Sequence, residues 1–447
     1  VKPSAPDNPP RLQRNYLRSW LGLTLTLLAL CYLLNMVMGI PRAGLPRVLR
    51  FYVGASPAMT TLAELLFFGI GKCITNLVAG WMSDAAPGGR KGVLLIGGSL
   101  TCAGCLTIWL AIPQGVRADV LDKMADTPPT AVLWGPFLLI SLGQFLNGLG
   151  SGFQNQGIMT AMQDLGGRSR RGLAGGLMEA ALYYGVTTGN FLDGHLVAIT
   201  GEVLFPFLVM AIIAAICSIA AGVWTVDTRQ AILVPAGFRV QRPGWDAYRR
   251  ALSHRSLWVI YFAGLMSKWV DSLIFAVSSL YLKSLRYSIQ DTATIQTGFV
   301  LSWSTVSLFT GALSDRIGRK HLIWLGMLWN AVFTLVVLYL SRPDNVAWEV
   351  FLMVLLGCGT GFYYGLPPAI AADVAPVEWR GVAISVYRFW RDFGHILSTL
   401  VFAGIYLIFG PTRQAVEWIF WVSAVLLLGG GAVALVFMEE THPRAGG

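Results

Sequence analysis

The chain has 447 residues, of which 55% are hydrophobic and only 13% charged, and its net charge is +10. A soluble protein carries roughly 25% charged residues, so this chain lacks the charges to cover soluble surfaces of its total size. The basic excess does not point to nucleic acid, because Lys and Arg sit in short gaps between apolar blocks, as expected of cytoplasmic loops.

The apolar blocks are long enough to cross a bilayer, which takes about 20 residues per helix. Backbone in lipid must satisfy its own hydrogen bonds, so each block is predicted helical. Residues 1–19 are polar and Pro-rich without an apolar core, and are expected as a cytoplasmic tail rather than a signal peptide. Six spans follow within residues 20–225: Trp20–Ile40, Pro57–Met82, Gly92–Ile112, Ala131–Met159, Gly172–Ile199 and Leu204–Val223. An Arg-rich connection, Asp227–Arg255, marks a linker over 226–256. The second set lies within 257–438: Leu257–Leu282, Thr292–Leu313, His321–Leu340, Val350–Ala371, Val382–Phe409 and Val416–Met438, with a tail over 439–447. With the amino terminus inside, inner segments hold about 20 of the 33 basic residues and outer loops about 9, so both termini are predicted cytoplasmic. The six cysteines all fall inside apolar blocks, without metal-ligand spacing, and read as packing residues.

The chain repeats itself. A gap-free shift of 209 residues lays spans four and five on spans ten and eleven: Gly150 falls on Gly359, Asp164 on Asp373, Arg171 on Arg380 and Gly185 on Gly394. The loops after spans two and eight also match, Gly80–Asp84 with Gly89-Arg90-Lys91 against Gly311–Asp315 with Gly318-Arg319-Lys320. Two six-helix sets related this way are a transporter architecture, with the solute expected where the sets meet.

The second loop, Gly311-Ala-Leu-Ser-Asp315-Arg316-Ile-Gly318-Arg319-Lys320, fits the G-x-x-x-D-x-x-G-R-K signature at every position. The sequence thereby resembles the major facilitator superfamily over essentially its whole length. The resemblance implies an all-α membrane protein of twelve transmembrane helices in two pseudo-symmetric halves, working as a secondary transporter. The first copy departs from the signature, with Ala85 at the usual basic position and two extra residues before Gly89. Gln144 stands where many members carry an Arg in span four, and span five lacks the Pro-containing motif of many drug/proton antiporters. The run Tyr387–Gly394 resembles a bacterial branch of the superfamily, and the resemblance implies a bacterial inner membrane as the expected location.

Charged residues at bilayer depth are costly and are functional candidates by default. Here they are Lys72 in span two, Glu179 in span five, Lys268 and Asp271 in span seven, and Arg388, Arg391 and Asp392 in span eleven. Arg388, Arg391, Asp392 and His395 recur at i, i+3, i+4 and i+7, one polar stripe on an apolar helix. Basic groups outnumber acidic ones, and an Arg fork suits carboxylate or phosphate. The competing reading is a purely structural network, Arg388 with Glu179 and Arg391 with Asp392. His395 reads as a packed histidine before a proton relay. Glu64 shares a helix face with Lys72 and is expected near the outer interface.

Asp84, Arg90, Lys91, Asp315, Arg316, Arg319 and Lys320 are latch candidates, since ion pairs at helix ends can hold one of two conformations. Gln144, Asn147, Gln154 and Asn155, with Ser151, line one face of span four as candidate cavity residues, though helix–helix hydrogen bonding explains them equally well. No phosphate-cradling loop is present. Energy is therefore expected from an ion gradient or from the solute's own gradient, with Glu179, Asp271 and Asp392 as the acidic candidates for proton coupling. No cofactor, metal or nucleic acid is expected; the expected partners are a small solute, protons and the bilayer, for a monomer. Three function classes remain open: a proton-coupled transporter of a small anion, an exporter of hydrophobic or cationic compounds, and a non-transporting membrane sensor or assembly factor.

Overall fold

A computed structural model describes residues 14–40, 45, 48–55, 59, 63, 66–85, 88–112, 116–117, 129, 131–167, 170–228, 244–278, 281–282, 285, 287, 289–376, 378–409 and 412–441. Glu64, Arg229, Arg239 and Arg242 lie outside the described residues. In chain order the helices are α1 (Arg14–Met36), α2 (Phe67–Ala85), α3 (Gly89–Leu110), α4 (Trp134–Gly166), α5 (Arg171–Thr200), α6 (Phe205–Trp224) and α7 (Trp245–Ser253). They continue with α8 (Arg255–Ser272), α9 (Ile289–Ile317), α10 (Lys320–Leu340), α11 (Val346–Tyr364), α12 (Pro367–Val374), α13 (Arg380–Phe409) and α14 (Arg413–Phe437).

Span ten is therefore two helices, α11 and α12. Pro367 and Pro368 open α12, where a missing N–H costs nothing because first-turn donors have no partner inside the helix. Within the Arg-rich connection, α7 is a short helix buried through Ala247 and Ala251.

Five described stretches are long and apolar enough to cross a membrane: α3, α6, α10, α11 with α12, and α14. The remaining long helices carry polar side chains, many of them buried. On α4 they include Gln144, Asn147, Gln154 and Asn155, all buried. Within each set, α3 packs between α4 and α6, and α10 between α11 and α14. The two most extensive contacts between the sets are α2 against α13 and α5 against α9. These are equivalent pairs under the sequence repeat. Both close tightly at one end, through glycine. A Cβ on Gly80 of α2 would lie 2.2 Å from Ser385 Cβ, and one on Gly311 of α9 would lie 2.4 Å from the Gly172 carbonyl.

Candidate functional site

Where α2 meets α13 and α9 meets α5, four carboxylates fasten the end of the bundle. Asp84, closing α2, accepts from Arg90 Nη1 at 2.7 Å and from the Val382 backbone N–H at 3.0 Å. Val382 is in the first turn of α13, so the carboxylate sits on that helix's positive end. Asp315, closing α9, accepts from the Gly172 and Leu173 N–H groups of α5 at 3.0 and 2.9 Å and from Arg319 Nη2 at 3.2 Å. Each aspartate therefore belongs to one set of helices and caps a helix of the other.

Asp164 and Asp373 repeat the pattern. Asp164 binds Arg90 Nε at 3.0 Å and, across the sets, Arg380 Nη1 at 2.8 Å. Asp373 binds Arg319 and, across the sets, Arg171 Nη1 at 2.7 Å. Asp164, Asp373, Arg171 and Arg380 were overlaid by the 209-residue shift but were not singled out as latch candidates. A carboxylate that falls on a carboxylate, seven residues ahead of an arginine that falls on an arginine, was the available signal. Lys91 Nζ donates to the Gly222 carbonyl at 2.6 Å, the Lys320 backbone N–H donates to Glu440 at 3.1 Å, and Arg316 is exposed.

Deeper in the bundle, Lys72, Glu179, Lys268, Asp271, Arg388, Arg391 and Asp392 come together, all buried. Four cations meet three carboxylates. Asp392 takes Arg391 Nε at 3.3 Å, Lys72 Nζ at 3.7 Å and Asn76 Nδ2 at 2.7 Å. Glu179 Oε1 takes Arg391 Nη1 at 3.3 Å. Asp271 Oδ2 takes Lys268 Nζ at 2.8 Å and faces His395 Nε2 at 3.1 Å.

The expected pairing of Arg388 with Glu179 is not what forms. Arg391, one turn along α13, bridges Glu179 and Asp392 by itself. Arg388 is fully buried, and its Nε, Nη1 and Nη2 donate to no described residue. It is close enough to feel Asp392 and Glu179 electrostatically, and Glu179 Oε2 also accepts no bond among the described residues. A buried guanidinium without acceptors is costly, and its fork can take a bidentate oxyanion.

Sequence reasoning missed the aromatic surround. Lys268 Nζ donates to the Tyr183 hydroxyl at 2.9 Å and lies over the rings of Tyr183, Trp303 and Tyr364 at 5.4, 5.7 and 5.9 Å. Ring residues at helical spacing look like core packing. The usable clue was Tyr183, one turn past Glu179 on the same face of α5. The α4 stripe turns elsewhere. Gln144 accepts from Asn147 at 3.5 Å, Gln154 from Thr101 at 3.1 Å, and Asn155 exchanges bonds with Asn35 at 2.9 and 3.0 Å. These bonds tie α4 to itself, α3 and α1.

The family model described as Major Facilitator Superfamily matches residues 25–399 and 297–447. Among solved structures, the proton:xylose symporter XylE bound to 6-bromo-6-deoxy-D-glucose superposes with a TM-score of 0.74 at 12% identity, covering 95% of this chain and 97% of that one. A single-residue variant of the E. coli fucose:proton symporter FucP gives 0.68 at 13% identity, over 93% and 99%. At such identities the likeness is one of fold. The ascochitine biosynthesis cluster MFS transporter of Didymella fabae is 29% identical over 194 residues, 41% of this chain and 35% of that protein. The putative transporter SVOPL of Homo sapiens is 27% identical over 135 residues, 30% of this chain and 25% of that protein. The chain thus spans about a third or less of these relatives' length. With the family model matched along nearly the whole chain and the fold shared end to end with solved members, this protein belongs to the Major Facilitator Superfamily.

Proposed function

We propose that this protein is a secondary active transporter that carries a small anionic solute by alternating access and is coupled to protons. The observation that carries the reading is Arg388, a buried guanidinium with no described acceptor inside a cluster where cations outnumber carboxylates. An anion between the sets would satisfy that fork and balance the cluster. Lys72 and Lys268, already paired to Asp392 and Asp271, supply further positive potential. Arg391 holds Glu179 on α5 and Asp392 on its own helix, so it ties the two sets together at the depth of the solute. A proton on Glu179 would weaken that tie, which gives the gradient a place to act.

The latch supplies the second state. Asp84 and Asp315 hold one end shut through caps that break when α2 leaves α13 and α9 leaves α5, and both contacts are discrete rather than graded. We place the latched end on the cytoplasmic side of a bacterial inner membrane, with the termini inside, because the inner segments hold most of the basic residues. The water-facing side of the site is then the outer one.

Thermal denaturation of the purified protein against a panel of mono- and dicarboxylates, phosphates, sulfate and neutral sugars tests the reading. Anions of one class should stabilise the wild type and leave Arg388→Gln unmoved. Equal stabilisation of both proteins, or stabilisation by neutral sugars alone, would remove the anion from the proposal.

A further inference from the structure

We propose that His395 and Asp271 form the proton-loading site of this protein, at the head of a hydrogen-bonded relay that ends between the two sets of helices. The inference rests on proton coupling as proposed above and names where the proton enters from water, ahead of the coupling carboxylate Glu179.

The polar face of α13 changes character along its length. Arg388, Arg391 and Asp392 are buried, whereas the His395 side chain is 46% exposed and Thr399, one turn on, is also exposed. That face therefore opens away from the latched end, where α13 begins at Arg380. His395 is the member of the cluster that meets the outside.

From His395 the contacts run inward without a gap. His395 Nε2 lies 3.1 Å from Asp271 Oδ2, and Lys268 Nζ donates to that same oxygen at 2.8 Å. Lys268 Nζ also donates to the Tyr183 hydroxyl at 2.9 Å, and Tyr183 shares a bond with the Tyr364 hydroxyl at 2.7 Å. The path starts on α13, passes through α8, crosses to α5 in the other set and returns to α11. Every link is within hydrogen-bond distance.

The surroundings of the imidazole suit both protonation states. Its Nδ1 lies 2.6 Å from Ser272 Oγ, and that hydroxyl also reaches the Lys268 carbonyl at 3.0 Å. In the neutral state the Ser272 hydroxyl donates to Nδ1, and Nε2–H donates to Asp271. Adding one proton puts an N–H on Nδ1 as well. The Ser272 hydroxyl then accepts from Nδ1 and turns its own hydrogen to the Lys268 carbonyl, while Nε2–H still donates to Asp271. A single hydroxyl rotation accommodates the proton, and no bond is left unmade.

The charges facing His395 are Asp271 and Lys268 from α8 and Asp392 from its own helix, with Arg391 and, from α2, Lys72 behind Asp392. The Asp271 carboxylate is the nearest, so it stabilises the imidazolium directly. The imidazolium in turn competes with Lys268 for Oδ2. Loading thus loosens Lys268 toward Tyr183, and the event at the water-facing head is felt on α5 across the interface.

Histidine-labelled protein in nanodiscs, titrated by 15N NMR, tests the assignment. Subtracting the His395→Gln spectrum identifies the signal among the five histidines. In the wild type the His395 ring should take up a proton between roughly pH 5 and 8. Asp271→Asn should lower its proton affinity at least about tenfold, the equivalent of one pKa unit. Ser272→Ala, which removes the Nδ1 partner but no charge, should lower it by less and provides the reading if Asp271→Asn does not fold. A ring that stays neutral down to pH 5 in the wild type, or one that titrates identically in all the folded variants, would overturn the proposal. The titration needs no solute, so it can fail while the anion site at Arg388 stands, and the reverse.

Discussion

Replacing Arg388 by Met should make the protein more stable, which is the opposite of what removing a charge from an ion-pair network does. Met keeps much of the apolar stem and discards a guanidinium that has no described acceptor. An unsatisfied buried polar group costs about 1–3 kcal/mol, and more when charged. Exchanging buried charge for an apolar residue of similar volume is often stabilising by ~1–4 kcal/mol. A gain of about 2 kcal/mol is therefore expected, or a rise in Tm of a few degrees for a protein larger than ~250 residues. Arg391→Met is the matched control. It removes the bonds to Glu179 and Asp392, both at 3.3 Å; Asp392 keeps Lys72 and Asn76, but Glu179 is left buried without its ion-pair partner, a loss of about 3–5 kcal/mol. Thermal unfolding of both variants in the same detergent, without added solute, gives the two signs side by side. An Arg388→Met protein destabilised to the same degree as Arg391→Met would show that Arg388 is a structural pair, and the anion argument would fall.

Other expectations concern the latch and the coupling carboxylate. Gly80→Ala and Gly311→Ala place a Cβ 2.2 Å from Ser385 Cβ and 2.4 Å from the Gly172 carbonyl, so each should force the closed end apart at a cost of about 1–3 kcal/mol. Alkylation of a Ser83→Cys reporter, buried in the latch, should speed up in both, and an unchanged rate would mean that the contact yields without opening. Asp315→Asn should slow or abolish transport while membrane insertion stays intact, because a neutral amide holds the α5 end and Arg319 less well; wild-type turnover at saturating solute would refute it. Glu179→Gln should keep solute exchange and lose accumulation driven by a proton gradient, and retained accumulation would move the coupling site elsewhere.

The fold could be read because its main constraint is local. Apolar blocks of bilayer length announce helices, and a repeat written into loop signatures announces two equivalent sets; the pairing of α2 with α13 and of α5 with α9 is added by the structure. The break in span ten was equally open to reading, since Pro367 and Pro368 cannot continue a helix interior. The site was legible as a set of residues and illegible as a set of bonds. All seven charges of the central cluster could be named, because charge inside an apolar block is rare. Which arginine reaches Glu179 depends on how α5 and α13 rotate against each other, and a shift that aligns Glu179 with Arg388 reports equivalent depth, not contact. The α4 stripe shows the same limit. Amides on one helix face promise a polar neighbour, and here the neighbours are Asn35 of α1 and Thr101 of α3.

Uptake into proteoliposomes tests the central claim most directly. The anion that best stabilises the purified protein is supplied outside, with the lumen made alkaline. The wild type should accumulate it, Arg388→Gln should not, and Arg388→Lys should recover only part of the rate, because a lysine keeps the charge and lacks the planar fork. Wild-type accumulation by a well-folded Arg388→Gln protein would contradict the claim that this arginine holds the solute.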